Sequence, residues 1–122
     1  MNKKIKVWGR EFSLKIIFEE YDGENVLEGQ KKALDSFLDK SDDILSSCDE
    51  LKKYCIEKNG KNIGEAIDNI FKYVIPQSIF VKRDDENHIV DLLCNYKFDE
   101  EHGISLFFKN EKLDHIGSQD DI

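Results

Sequence analysis

The twenty residues VDLLCNYKFDEEHGISLFFK, positions 90–109, decide the architecture. Val90, Leu92, Cys94, Tyr96 and Phe98 alternate with other residues, so they line one face of a long strand. Residues 99–103 turn the chain. Ile104, Leu106 and Phe108 then face one way, and Ser105, Phe107 and Lys109 the other. Working outward, Asn110-Glu111-Lys112 turns again, and residues 113–116 make a last short strand. Upstream, residues 79–83 read as a short strand, and Asp84-Asp85-Glu86-Asn87 as the hairpin loop that joins it to the long one.

The amino-terminal end shows the same period. Ile5 and Val7 alternate with Lys6 and Trp8, Gly9-Arg10-Glu11 is the expected turn, and Phe12, Leu14, Ile16 and Phe18 alternate onward. Asp22-Gly23-Glu24-Asn25 ends this hairpin and offers a cap for the helix after it. The next fifty or so residues change to helical spacing. Val26, Leu27, Ala33, Leu34, Phe37 and Leu38 form a first stripe. Ser41-Asp42-Asp43 restarts a helix with acids at its positive end. Ile44, Cys48, Leu51 and Cys55 continue that helix, and Asn59-Gly60 is expected to stop it. Ile63, Ile67, Ile70, Phe71 and Val74 suggest a third helix, ended by Pro76. Strand pairs at both ends with helices between them predict an α+β fold. The expected form is an antiparallel sheet of about five to six strands, an N-terminal hairpin plus a C-terminal meander, with two to three helices packed on one face. Residues 1–122 are read as a single domain.

Charge is unevenly distributed. Residues 1–83 hold 15 Lys/Arg and 15 Asp/Glu, whereas residues 84–122 hold 3 Lys/Arg and 11 Asp/Glu, which accounts for the entire net charge of −8. That asymmetry argues against nucleic acid as a partner and for a basic protein. Met1-Asn2-Lys3-Lys4 is basic but is not succeeded by the apolar run of a secretory leader. No stretch approaches the roughly 20 apolar residues of a membrane span, so no membrane partner is expected. Three cysteines, Cys48, Cys55 and Cys94, are an odd set that reads as reduced thiols, and a cytoplasmic location is expected.

Chemistry-bearing residues are sparse. His102 with Asp99 and Glu101 offers metal-ligand types, but all three crowd one turn and His88 and His115 stand apart, so a solvated acidic turn is the better reading. The cysteines fall on apolar stripes, which suits small buried hydrophobes better than activated nucleophiles. The acidic groups fall in loops, where nothing raises a carboxyl toward acid–base work. No catalytic, cofactor-binding or metal-binding residue is assigned, and a non-enzymatic protein is expected. One feature departs from an ordinary surface. If helices cover the face carrying Leu14, Ile16, Leu92, Tyr96, Leu106 and Phe108, the far face is expected to hold Trp8, Ile17, Ile89, Leu93 and Phe107. Exposed apolar and aromatic patches of that kind mark interfaces. The candidate partner-binding residues are therefore the acids Asp84, Asp85, Glu86, Asp99, Glu100, Glu101, Asp120 and Asp121, with Trp8, Leu93 and Phe107 as apolar anchors.

The carboxyl-terminal stretch Phe98-Asp99-Glu100-Glu101-His102-Gly103-Ile104-Ser105-Leu106-Phe107-Phe108, then Lys112-Leu113, then Ile116-Gly117-Ser118-Gln119-Asp120, resembles the closing signature of a group of small bacterial cytoplasmic domains of unknown function. The Ile-Pro-Gln-Ser-Ile-Phe run at 75–80 is similar to that group as well. Some of its members are suspected immunity proteins of polymorphic or contact-delivered toxins. The resemblance implies an α+β fold and a cytoplasmic, non-enzymatic protein; taken with the acidic charge, it makes an immunity protein that binds and neutralises a cognate, basic toxin domain through an acidic surface the leading expectation. Gly103 and Gly117 also have a plain structural meaning as turn and strand-end residues. Two other functions fit the residues: a homodimeric structural or regulatory accessory protein joined through the far sheet face, and a small ligand-binding enzyme with a pocket between sheet and helices.

Overall fold

The computed structural model describes residues 2–19, 28–39, 41–83 and 87–119, for 41–46 the backbone alone. The strands are β1 (Asn2–Val7), β2 (Arg10–Phe18), β3 (Val74–Val81), β4 (Ile89–Tyr96), β5 (Ile104–Lys109) and β6 (Lys112–Gly117). Between β2 and β3 lie α1 (Glu28–Asp39), α2 (Ser41–Ile63) and a 3₁₀ turn at Ile70–Lys72. The six strands form one sheet in chain order, β1 to β6. This is the expected combination of a hairpin, a helical middle and a meander.

Two expectations about it need correction. The sheet is mixed, because β2 and β3 pair parallel, with Ile16 opposite Ile79 and Ile17 opposite Phe80. The reason is the connection: a long helical crossover returns the chain to the same end of the sheet, which is what a parallel neighbour requires. The third helix is absent among the described residues. Its suggested stripe is split between the end of α2, the 3₁₀ turn and β3, and Pro76 lies inside β3. The proline is tolerated there because the β3–β4 register shifts between Pro76 and Ser78, a bulge being one of the few sites in a sheet that needs no N–H.

Helix boundaries differ from expectation for local reasons. Asn59 leaves helical geometry (φ −134°, ψ 29°) and kinks α2 without ending it. The left-handed residue that does end it is Gly64, at φ +102°, whose N–H bonds Gly60 O at 2.8 Å. The caps expected at Asp22-Gly23-Glu24-Asn25 and at Ser41-Asp42-Asp43 lie outside the described residues or side chains.

The alternating residues Leu14, Ile16, Ile79, Val81, Val90, Leu92, Cys94, Ile104, Leu106 and Phe108 are all buried, with Ala33, Leu34 and Phe37 of α1 and Leu51 and Cys55 of α2 in the same core. Phe37 meets Phe108 edge-on at 4.9 Å. α1 packs against β3 and β4, while α2 touches both edge strands, β1 and β6. Gln30 of α1 is fully buried and its amide donates to Glu19 O at 2.8 Å and to Val81 O at 3.3 Å. It thereby ties α1 to the end of the parallel pair, where Glu19 N also reaches Val81 O.

Candidate functional site

The residues that alternate with the core set make up the second face of the sheet, away from the core shared with α1 and α2; we call it the open face, although Asp91, Ser105, Phe107 and Gly117 on it are buried. Register places Ile17, Phe80, Asp91, Phe107 and His115 side by side in one row across five strands. The next row carries Lys15, Ser78, Leu93, Ser105 and Gly117. Ile17, Phe80, Ile89 and Leu93 are half-buried, and Phe107 is buried at 5% exposure. Phe107 stacks on the His115 ring at 4.3 Å between centroids. Lys4, Lys6, Lys15, Lys109 and Lys112 flank the rows and are exposed.

At the centre of the row sits a carboxylate. Asp91 is fully buried, and neither of its oxygens has a hydrogen-bond partner among the described residues. The Lys82 ammonium stands 4.0 Å from Oδ2, at the outer limit of an ion pair, and is itself partly exposed. Ser105, one strand over, is also fully buried with its hydroxyl unmet. Burial pushes the Asp91 carboxyl up to about 6; the charges of Lys82 and His115 pull it down and Glu19 pushes it further up. A buried charge without hydrogen bonds is expensive to keep.

The nominated residues are dispersed by the fold. Leu93 and Phe107 lie on the open face with Ile17 and Ile89, but Phe107 is buried at 5% exposure, which corrects its reading as an exposed anchor: its ring is covered by stacking on His115. Trp8 does not, and this corrects the reading of Trp8 as an exposed anchor. Val7 pairs with Arg10, so the hairpin loop is Trp8-Gly9 rather than Gly9-Arg10-Glu11. Both loop residues take positive φ, +50° and +86°, as a two-residue hairpin turn requires. Leaving the strand's alternation lets the indole reach the helical side, where it is 8% exposed, donates from Nε1 to Ser47 Oγ at 3.1 Å and lies 6.0 Å from the Phe71 ring.

The acids also part company. Asp84, Asp85, Glu86, Asp120 and Asp121 lie outside the described residues. Glu100 and Glu101 are exposed, and Asp99 is half-buried. Asp99 Oδ1 accepts from His102 N at 3.2 Å and contacts His102 Nδ1 at 3.1 Å, so it serves its own turn. Glu100 borders a depression of about 310 Å³ together with Ile75, Asn95 and Lys97. Ile75 and Asn95 are open-face residues, so the acidic turn adjoins that face. Among the remaining acids of this third, Glu111 is held 2.6 Å from His88 Nδ1 and Asp114 2.6 Å from His115 Nδ1.

The closing signature is explained by packing. Gly103 has φ +65°, and a Cβ there would meet Cys94 O at 2.5 Å and Gln119 Nε2 at 2.6 Å. Gln119 reaches across this gap and donates to Cys94 O at 3.0 Å. Glycine and glutamine thus form one latch over the β4–β5 corner. Burial raises all three thiols, Cys55 to about 11 and Cys48 and Cys94 upward as well, which disfavours a reactive thiolate at each. Among the described residues no group of three His, Cys, Asp or Glu stands close enough to hold a metal ion, and no helix is long and apolar enough to cross a membrane.

Sequence reading missed Asp91, Phe80 and Ser105 as members of the site. The signal was present: Ile89-Val90-Asp91-Leu92-Leu93 puts a lone acid between two apolar residues of the outward phase. Neither a curated protein nor a solved structure matches the chain. A family does match it, over residues 1–122, and the chain accordingly belongs to the family described as Domain of unknown function (DUF6985).

Proposed function

We propose that the protein is a non-enzymatic protein-binding module whose open sheet face engages the partner, and that it serves in the cytoplasm as an immunity protein against a toxin domain that turns its basic surface to the acidic turn at Glu100 and its own acids to the lysines around the sheet face. The observation that carries the binding reading is the row Ile17, Phe80, Asp91, Phe107 and His115, which combines aromatic surface with an unmet carboxylate at its centre. Interfaces are built around such aromatic anchors inside a polar rim. The toxin-neutralising reading draws on the resemblance of the closing segment to domains encoded beside delivered toxins and on the acidic carboxyl-terminal third. Exposed Glu100 adjoins the open face, exposed Glu101 follows it in the same turn, and the pair would speed encounter with a positive surface.

A homodimer through the same face is the second reading. The half-exposed Phe80 and Leu93 favour it, and the flanking lysines oppose it, because a second copy would bring like charges together.

Co-expression tests the main reading. A host killed by the toxin domain encoded beside this chain is expected to survive when the chain is co-produced. Absence of such a domain from the neighbouring reading frames, or death despite co-production, overturns the immunity reading.

A further inference from the structure

We propose that the open face receives an arginine from the partner protein, seated on the Asp91 carboxylate between Phe80 and Phe107, with Lys82 as the resident cation that it displaces. The inference rests on the reading of the chain as a protein-binding module and names the chemistry of its partner. Three observations carry it. Both Asp91 oxygens lack a hydrogen bond among the described residues, and so does the neighbouring Ser105 hydroxyl. Phe80 and Phe107 stand on either side of Asp91 in register, on β3 and β5. The Lys82 ammonium is too far, at 4.0 Å, to satisfy either oxygen, and its side chain reaches solvent, at 30% exposure, where that of Asp91 has none.

A guanidinium fits this setting better than any other common cation. It is planar, stacks on aromatic rings and presents paired donors that match a carboxylate. It also sheds water more readily than an ammonium, which suits a site already excluded from solvent. A metal ion is a poorer occupant, because one carboxylate and one hydroxyl supply too few ligands and His115 Nδ1 is engaged by Asp114. A second copy is disfavoured by the lysines 4, 6, 15, 109 and 112 around the rows. These lysines call instead for carboxylates on either side of the partner's arginine.

The test uses a displayed library of short random peptides selected on the full chain. Enriched peptides are then titrated by calorimetry against the wild type, Asp91→Asn and Lys82→Met. Asp91→Asn removes the charge and keeps the shape, and circular dichroism checks that it retains the fold. The expected result is enrichment of arginine with neighbouring acids, a loss of roughly tenfold or more in affinity with Asp91→Asn, and undiminished affinity with Lys82→Met. Replacing the peptide's arginine by lysine is expected to weaken binding. Selected peptides that lack arginine, or that bind Asp91→Asn as tightly as the wild type, overturn the inference while leaving the protein-binding reading standing. Failure of the co-expression test with success here would remove the toxin assignment and keep the arginine site.

Discussion

Asp91 concentrates the physical tension of this molecule in one side chain. A carboxyl that is fully buried without hydrogen bonds binds its proton more tightly in the folded chain than in the unfolded one. Its value moves from the ordinary 3.8 up to about 6, so between those two pH values the folded state holds a proton that the unfolded state has lost. Stability from this group is therefore highest below pH 4, falls as pH rises toward 6, and is flat above that. Burial sets the shift; the charges of Lys82 and His115 oppose it and that of Glu19 adds to it. Asp91→Asn is expected to stabilise the chain at neutral pH by up to about 3 kcal/mol, with the gain shrinking to near zero at pH 4. Urea unfolding of both proteins across pH 4–7 measures it. Gly103 is the second decisive residue. Gly103→Ala places a methyl group against Cys94 O and Gln119 while forcing a side chain into a left-handed backbone, and is expected to cost about 2–4 kcal/mol. Gln119→Ala removes only the donor to Cys94 O and is expected to cost about 1–2 kcal/mol. A larger loss for Gln119→Ala than for Gly103→Ala, measured by thermal unfolding, would contradict the latch.

At the scale of elements, the alternation in β2, β4 and β5 and the helical stripes of α1 and α2 are legible because each segment buries one face and shows one period. The β1–β2 hairpin is legible as a hairpin, but its turn reads too far along the chain. Alternation continues through Trp8, and only the backbone sign at Trp8 and Gly9 reveals where the strand stops. That small displacement moves an indole from the open face into the core. Pro76 reads as a helix stop for the same kind of reason: proline forbids an interior helix or ladder position, and a bulge satisfies that rule as well as a helix end does. Trp8→Phe is expected to lose about 1–2 kcal/mol through the lost bond to Ser47 and the smaller ring, with partner affinity unchanged. Unaltered stability with weakened binding would return Trp8 to the interface.

For the whole molecule, the charge asymmetry is plain in the sequence, but its distribution in space is not. Chain position says nothing about which carboxylate points outward. The fold buries Asp91 on the sheet face, ties Glu111 and Asp114 to histidines, uses Asp99 within its own turn, and leaves Glu100 exposed beside the face and Glu101 exposed in the same turn. The parallel β2–β3 pair is likewise hidden, since strands joined by a crossover and strands joined by a hairpin share the same alternation. Reversing Glu100 and Glu101 to lysine is expected to slow association with a basic partner several-fold at low salt and to do little at high salt, where screening removes the steering. Stopped-flow mixing at two ionic strengths reads this. Hydroxyl-radical footprinting of the chain alone and in complex with the partner domain proposed for it tests the central claim most directly. Ile17, Phe80, Leu93 and His115 are expected to lose reactivity together on binding. Unchanged reactivity at those four residues, with protection confined to Tyr54 and the exposed surface of α2, would contradict the open face as the binding surface.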